Sequence, residues 1–504
     1  MFPTSPHSAP TRTAVTTAMK AGMRALAIAV AGLTVACSAS APPAPVPTTA
    51  STPASTSVLT PTPDAGLPGR LVADVTGENA FRHLEELQRI ADANSGNRAL
   101  GTPGYDASVE YVARTLRDAG YTVETPEFTA RSFSAQDVRL TVDGAPIAAT
   151  AIGFSPATPA GGITAPLAVL AQDETPGCEA ADFGGVPAGA VVLVRRGTCP
   201  FGVKSTNAAA ARAAAVLVSN NIDGPLDQAT LGDATGVLPT VGLSKADGDA
   251  LVGRAGASVN LVLATTIEER ASRNVIAQTT TGNPDNVVMA GAHLDSVPAG
   301  PGINDNGSGT AALLETAVRL GGAPAVTNAV RFAFWGAEEE GLIGSTRYVA
   351  GLSDPDRQKI SLYLNLDMVG SANAAYLAYD GDNSDNKGAG PGPEGSATVE
   401  RVLLEQLAAT GVTGEGTDFD GRSDYGPFID AGIPAGGLFT GAEEVKTAEQ
   451  AQRWGGTAGQ PYDRCYHQAC DRTDGIDRTA LDRNTDAVAG TIGRFALSTE
   501  GVPA

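Results

Sequence analysis

The chain has 504 residues and a formal net charge of −21, with 42% hydrophobic and 18% charged residues. That length supports two or three domains around sizeable cores, and the composition excludes a disordered polymer, a coiled coil and a collagen-like repeat. So acidic a chain lacks the basic face that phosphate binding needs, which excludes nucleic acid as a partner.

Residues 1–36 carry Arg12, Lys20 and Arg24, no acid, and the apolar run Ala25–Ala36. The run is too short to span a bilayer, and with its positive flank residues 1–36 read as a secretory signal peptide. They end in Leu33-Thr34-Val35-Ala36-Cys37, similar to a bacterial lipobox with its Leu one place further from the Cys than usual. Cys37 is therefore the expected lipidation site, plain cleavage near Ala36 or Ala39 being the alternative. Residues 37–66 then form the lipobox Cys and a disordered Ser/Thr/Pro/Ala linker. The expectation is an exported monomer, lipid-anchored on the outer face of the cell membrane or secreted, touching the membrane through the lipid alone.

Phe81, Leu84, Leu87 and Ile90 recur at helical spacing, which predicts a helix over Glu78–Ala93. A second amphipathic helix is expected over Tyr105–Ala119, stopped by Gly120, and a strand over Tyr121–Phe128. From about Pro146 to Thr265 the texture changes to short Ala-, Gly- and Val-rich β-runs. Within it are an expected strand Ala190–Val194, a helix Lys204–Ala215 and a strand Ala215–Ser219. After Asn274, apolar strands Val287–Ala292, Val330–Trp335 and Leu362–Leu366 alternate with helices near Gly309–Leu320 and Ser345–Leu352. This is the texture of an α/β fold, a mixed, mostly parallel sheet with helices on both faces, into which a β-rich domain is inserted.

If Cys37 is lipidated, four cysteines remain, and their spacing pairs Cys178 with Cys199 and Cys465 with Cys470. An even remainder suits an exported, oxidised chain.

The chemistry-bearing residues sit where the apolar strands stop. His293 ends one strand, with Asp295 two residues on, and Asp305 lies in the loop Gly302–Gly309. Val330–Trp335 runs into Glu338-Glu339-Glu340, and Leu362–Leu366 ends in Asp367. Ligands of open α/β sheets bind beyond the carboxyl ends of strands, so these groups are expected to converge. Imidazole together with carboxylates suits a hydrolytic zinc site better than magnesium or calcium, and no residue pattern supports calcium. Taken singly each has a plainer reading: a hydrogen-bonded His, a solvated Glu pair, a helix-capping Asp. Their joint occurrence at separate strand mouths favours chemistry. Asp295 would hold the His293 imidazole in one tautomer. His83, beside an apolar stripe, reads as structural.

The motifs GAHLDS, GINDNGSG, WGAEEEGLIGS and NLDMVG, from His293 to Asp367, resemble metallopeptidase family 28, the secreted di-zinc aminopeptidases. The resemblance continues in Gly421–Phe428, Pro434–Phe439 and Tyr462–Cys470, and covers Asn97–Phe128. Gly177-Cys178, Arg196–Phe201 and Lys204 resemble a protease-associated domain. The resemblance implies a zinc exopeptidase fold with residues 67–141 as the N-terminal part of the peptidase domain, 142–266 as the inserted domain and 267–504 as the catalytic part. It implies two zinc ions bridged by Asp305, with His293 and Asp367 completing one site and Glu339 and His467 the other. Glu338 would be the general base and acid, and Tyr466 a donor to the developing oxyanion. Asn306 departs from the family, many members carrying a second Asp there.

The function implied is hydrolysis of N-terminal residues from peptides. Met368, Phe428 and Phe439 near these motifs suggest an apolar first side chain. A carboxypeptidase or a glutaminyl-cyclase-like enzyme of the same fold is the alternative, with Arg422 and Arg464 the only nearby cations for a substrate carboxylate; a non-catalytic binding protein is a third.

Overall fold

Four parallel strands form the middle of the principal sheet, in the order Asn328–Trp335, Asn283–His293, Ile360–Leu366, Ala435–Phe439. They are apolar and buried through most of their length, as strands covered on both faces must be. The computed structural model describes residues 62–503 apart from 172, 174, 227, 228, 233 and 389. The signal peptide, Cys37 and the linker up to residue 61 lie outside the described residues. Among the described residues no helix is long and apolar enough to cross a membrane.

One face of the sheet is covered by the helices Gly77–Ala93, Pro103–Asp118, Gly309–Leu320 and Arg478–Leu497, around Leu84, Val112, Leu313 and Ile492. The other face buries Met289, Trp335 and Tyr363 beneath the helices Ile343–Gly351 and Gly426–Asp430, the latter contributing Phe428. Phe428 stacks on Tyr363 with ring centroids 3.8 Å apart. The expectation that Phe428 faces substrate is therefore corrected: it is fully buried core. Gly291 lets these layers close, because a Cβ there would lie 2.5 Å from the Trp335 indole nitrogen, which donates to the Tyr363 hydroxyl at 2.8 Å.

The expected strand Tyr121–Phe128 is two strands. Thr122–Glu124 pairs with Val275–Gln278, and a new strand, Glu127–Val142, starts after Pro126, which has no N–H to give to a ladder. Glu127–Val142 pairs antiparallel with Ser258–Arg273 from Glu127↔Arg273 to Val142↔Val259, and this ribbon leads into a second sheet. There Val191–Arg195, Ala215–Ser219 and Thr240–Leu243 run parallel over two small apolar cores. The expected helix Lys204–Ala215 is Phe201–Ala210: it begins directly after Pro200, and Arg212 turns into the left-handed region (φ 62°) before the next strand. The helices Ser396–Ala409 and Arg478–Leu497 carried no expectation. Cys178 is bonded to Cys199, and Cys465 to Cys470.

Candidate metal centre

His293 ends the central strand, and the residues expected from the neighbouring strand mouths surround it. Its Nε2 lies 3.2 Å from Asp305 Oδ1, 3.4 Å from Asp367 Oδ1 and 3.8 Å from Glu338 Oε2. On the far side of Asp305, His467 Nε2 lies 3.1 Å from Asp305 Oδ2 and 3.0 Å from Glu339 Oε2. Asp305 thus presents one oxygen to each imidazole. The arrangement is two imidazoles and four carboxylates, with Asp305 between the imidazoles.

These groups fit metal ions. Ligand atoms about 2.0–2.1 Å from one ion stand about 3.3 Å apart in a tetrahedron, close to the spacings above. Both ring nitrogens of His293, Glu339 Oε1 and Asp367 Oδ1 are buried without a hydrogen-bond partner among the described residues. Buried polar atoms are rarely left so, and a cation would satisfy them. Imidazole with carboxylate is the donor set of hydrolytic zinc.

The electrostatics agree. Burial opposes charge on His293, yet the carboxylates of Glu338 and Asp367 hold its pKa well above the imidazole range. His467 is pushed up to about 11 against burial, chiefly by Glu339 and Asp305. Asp305 is buried yet held well below the usual carboxylate range by the two imidazoles that face it. Glu338 is pushed well up by burial, with Asp367, Asp424 and Glu339 adding to it against the pull of His293. So much negative charge gathered out of water calls for cations.

The loops holding these side chains are bent and tied. Ala337, Met368 and His467 adopt left-handed backbone conformations (φ 57°, 52° and 56°), costing of order 1–3 kcal/mol each and tolerated only where the surroundings impose them. Asp295 is fully buried: Oδ1 stands 3.7 Å from His293 Nδ1, and the carboxylate accepts the backbone N–H groups of Glu338 (3.2 Å) and Glu339 (3.3 Å). Asn306 donates to Leu366 O and accepts from the backbone N–H groups of Gly309 and Met368, a donor-and-acceptor role an ionised Asp cannot play. The Tyr466 ring stacks on His467 at 3.9 Å. His83 lies away from the cluster, 2.5 Å from the Tyr111 hydroxyl, and is structural as expected.

Several contributors escaped the sequence reading. Arg98, fully buried, donates to the carbonyls of Leu294, Pro301 and Gly302, joining the loops that follow His293 and precede Asp305. Ser423 donates to Asp367 Oδ2 at 2.5 Å. Asp471 accepts the N–H groups of Asn304 and Asp305. No residue spacing marks such partners, since each is an ordinary polar residue in a loop far away in sequence. Arg422 donates to the Tyr466 hydroxyl at 3.3 Å and pairs with Glu443 and Glu444. A third acidic group, Asp380, Asp382 and Glu400, lies elsewhere, with backbone N–H groups of its own loop on all three carboxylates.

A cavity of about 790 Å³ opens over the cluster, within the range of small-ligand sites. Asp305, Glu338, Glu339, Asp367, Tyr466 and His467 line it, with Met368 and Phe439 beside them.

Residues 274–492 match peptidase family M28, and residues 163–251 match the PA domain. The chain is 52% identical over 432 residues to the probable lipoprotein aminopeptidase LpqL of Mycobacterium tuberculosis, covering 85% of this chain and 86% of that one. It is 42% identical to leucine aminopeptidase 2 of Trichophyton rubrum over 83% of this chain and 84% of that one. Its fold is similar to that of BSAP, a zinc aminopeptidase from Bacillus subtilis, with a TM-score of 0.61, 26% identity, and coverage of 84% of this chain and 96% of that one. The matched family and relatives along nearly the whole described chain agree: this chain is an enzyme of peptidase family M28 with a PA domain within its length.

Proposed function

We propose that the chain is an exported zinc aminopeptidase, lipid-anchored through Cys37, that removes apolar N-terminal residues from peptides at a two-metal site. The observation that carries this reading is the sharing of Asp305 between His293 and His467, with Asp367 and Glu339 completing the two clusters. His293, Asp305 and Asp367 would hold one zinc ion, and Asp305, Glu339 and His467 the other. Zinc bound there supplies a Lewis acid for the peptide carbonyl and lowers the pKa of water to about 7. Glu338 is left off the metals, takes the proton of the attacking water and delivers it to the leaving amine. Its raised pKa suits that two-way traffic. Tyr466 receives the Arg422 N–H on its oxygen, which leaves its own O–H free to donate to the developing oxyanion.

Cleavage at the amino end is favoured by charge. Carboxylate oxygens left off the metals, those of Glu338 and Asp367 especially, would accept hydrogen bonds from an ammonium, whereas Arg422 is already paired with Glu443 and Glu444. Met368 and Phe439 supply apolar surface for the first side chain, and the leucine aminopeptidase relative supports that preference. The division into 67–141, 142–266 and 267–504 belongs to the same proposal; the PA match over 163–251 falls inside its middle part, while the ribbon strands Glu127–Val142 and Ser258–Arg273 run across both boundaries. The test is hydrolysis of aminoacyl-nitroanilides and peptides. Leu, Met and Phe substrates are expected to be cut, with loss of activity on chelation or N-acetylation and little change on C-terminal amidation. Equal cleavage of acetylated peptides, or loss on amidation, would replace this reading by the carboxypeptidase one.

A further inference from the structure

The cavity above the metal-ligand cluster is not built by the peptidase sheet alone. Its lining also includes Phe133, Ala151, Gly153, Phe154, Ala229 and Thr230, all from the second sheet and its loops. Phe154 is the unusual member. A bulky residue, it sits in the left-handed backbone region (φ 58°), where side chains are rarely tolerated. The residue is only 8% exposed, yet it belongs to neither of the two apolar cores of that domain. It packs instead against Phe133 (centroids 5.9 Å apart), with the Arg131 guanidinium 4.9 Å over its face.

The backbone on either side of Phe154 is tied down. Gly153 donates to Ala229 O, Leu231 donates to Gly153 O, and Ser155 is held by its N–H to Ile152 O and its hydroxyl from Thr240 N–H. Strained conformations imposed by their surroundings cluster at ligand-binding sites. Here the imposed conformation places an aromatic ring on the wall of the cavity that also holds Glu338 and His467.

We propose that Phe154, backed by Phe133, is a specificity-determining residue: it forms a subsite for an apolar or aromatic side chain of the peptide beyond the cleaved bond. The inference rests on the aminopeptidase reading above and deepens it, for that reading places the first side chain against Met368 and Phe439 and assigns no surface to the second or third. The class of substrate favoured is a short peptide with an aromatic residue after its N-terminal one.

The test compares leucinamide, which ends at the cleaved bond, with Leu-Gly-Gly, Leu-Phe-Gly and Leu-Gly-Phe. The unaltered enzyme is expected to prefer one of the Phe peptides over Leu-Gly-Gly by about tenfold in kcat/KM, through KM, the scale of an aromatic contact. Phe154→Gly removes the ring and relaxes the backbone, because glycine adopts positive φ without steric cost. It is expected to abolish that preference while leucinamide hydrolysis stays within about twofold. Phe133→Ala, which leaves the strained turn intact, is expected to lose the preference in the same direction and keeps the test open if the first variant does not fold. Equal loss on leucinamide and peptides in both variants would reduce the rings to a structural role, and an unaltered enzyme indifferent to Phe would remove the subsite. Failure of the zinc-loaded enzyme to cut any of the four substrates would overturn the parent reading instead.

Discussion

Asp471 accepts the backbone N–H of Asp305 at 3.0 Å, and so ties the end of the Cys465–Cys470 loop to the carboxylate shared by both imidazoles. Asp463, on the other side of that loop, accepts from Asn304 Nδ2 at 2.6 Å. The segment presenting Tyr466 and His467 is thus gripped at both ends by the segment presenting Asp305.

The Cys465–Cys470 bond is therefore expected to govern metal content more than global stability. A loop with a sequence separation of 5 contributes on the order of 2 kcal/mol by closure entropy. Replacing both cysteines by serine should lower Tm modestly, while metal analysis shows selective loss of the ion held by Glu339 and His467. Full retention of two zinc ions and full activity would mean that the Asp463 and Asp471 contacts suffice.

Glu338→Gln keeps the shape of the side chain and removes its basicity. Turnover should fall at least 10²–10⁴-fold, the usual worth of a positioned acid–base group, with both zinc ions retained. Loss of zinc from the purified variant would make Glu338 a ligand.

Metal uptake should depend on pH in a set direction. Without metal, the neighbouring carboxylates raise the pKa of His293 and bring that of His467 to about 11, so both imidazoles carry protons at neutral pH. Zinc needs the neutral rings and must displace those protons. Lowering the pH strengthens the competitor, so affinity should fall about tenfold per pH unit for each site that loses one proton. Calorimetry of the metal-free protein in buffers of different ionisation enthalpy should register proton release; uptake or indifference would contradict this arrangement of charge.

Asp295→Asn should cost 10–100-fold in metal affinity or activity. The change removes the negative charge facing His293 Nδ1 and one of the two acceptors for the Glu338 and Glu339 N–H groups. Zinc titration against a competing chelator would measure it, and an unchanged affinity would leave Asp295 with a folding role only.

How much of the fold and site was legible depended on contrast along the chain. The strands ending at His293, Trp335 and Leu366 were visible because uninterrupted apolar runs stop abruptly at polar residues, and the side chains just beyond those stops do come together. The C-terminal helix Arg478–Leu497 was hidden because the face it buries includes Asn484, Thr485, Gly490, Thr491 and Gly493, which blur any apolar stripe. The long ribbon was hidden for a related reason: much of Glu127–Val142 and Ser258–Arg273 is exposed or half-buried, so no clean alternation marks it. Arg98 and Asp471 act through backbone carbonyls and N–H groups, contacts that leave no periodic trace.

The ribbon's two ends meet, for the Asn274 N–H donates to Pro126 O at 3.1 Å just where both strands leave the peptidase sheet. The two strands are paired on either side of a bulge between Ala135 and Asp137, and a bulge bends a ribbon and increases its twist. Ala130 pins its base against Leu100 and Ala337, the residue before Glu338. Such a stem carries the second domain beside the cleft, so the direction the ribbon takes beyond its bulge decides which residues of that domain line it. A chain trimmed at Pro126 and rejoined at Asn274 would keep the sheet's edges in register while leaving the cluster open to any terminus that reached it.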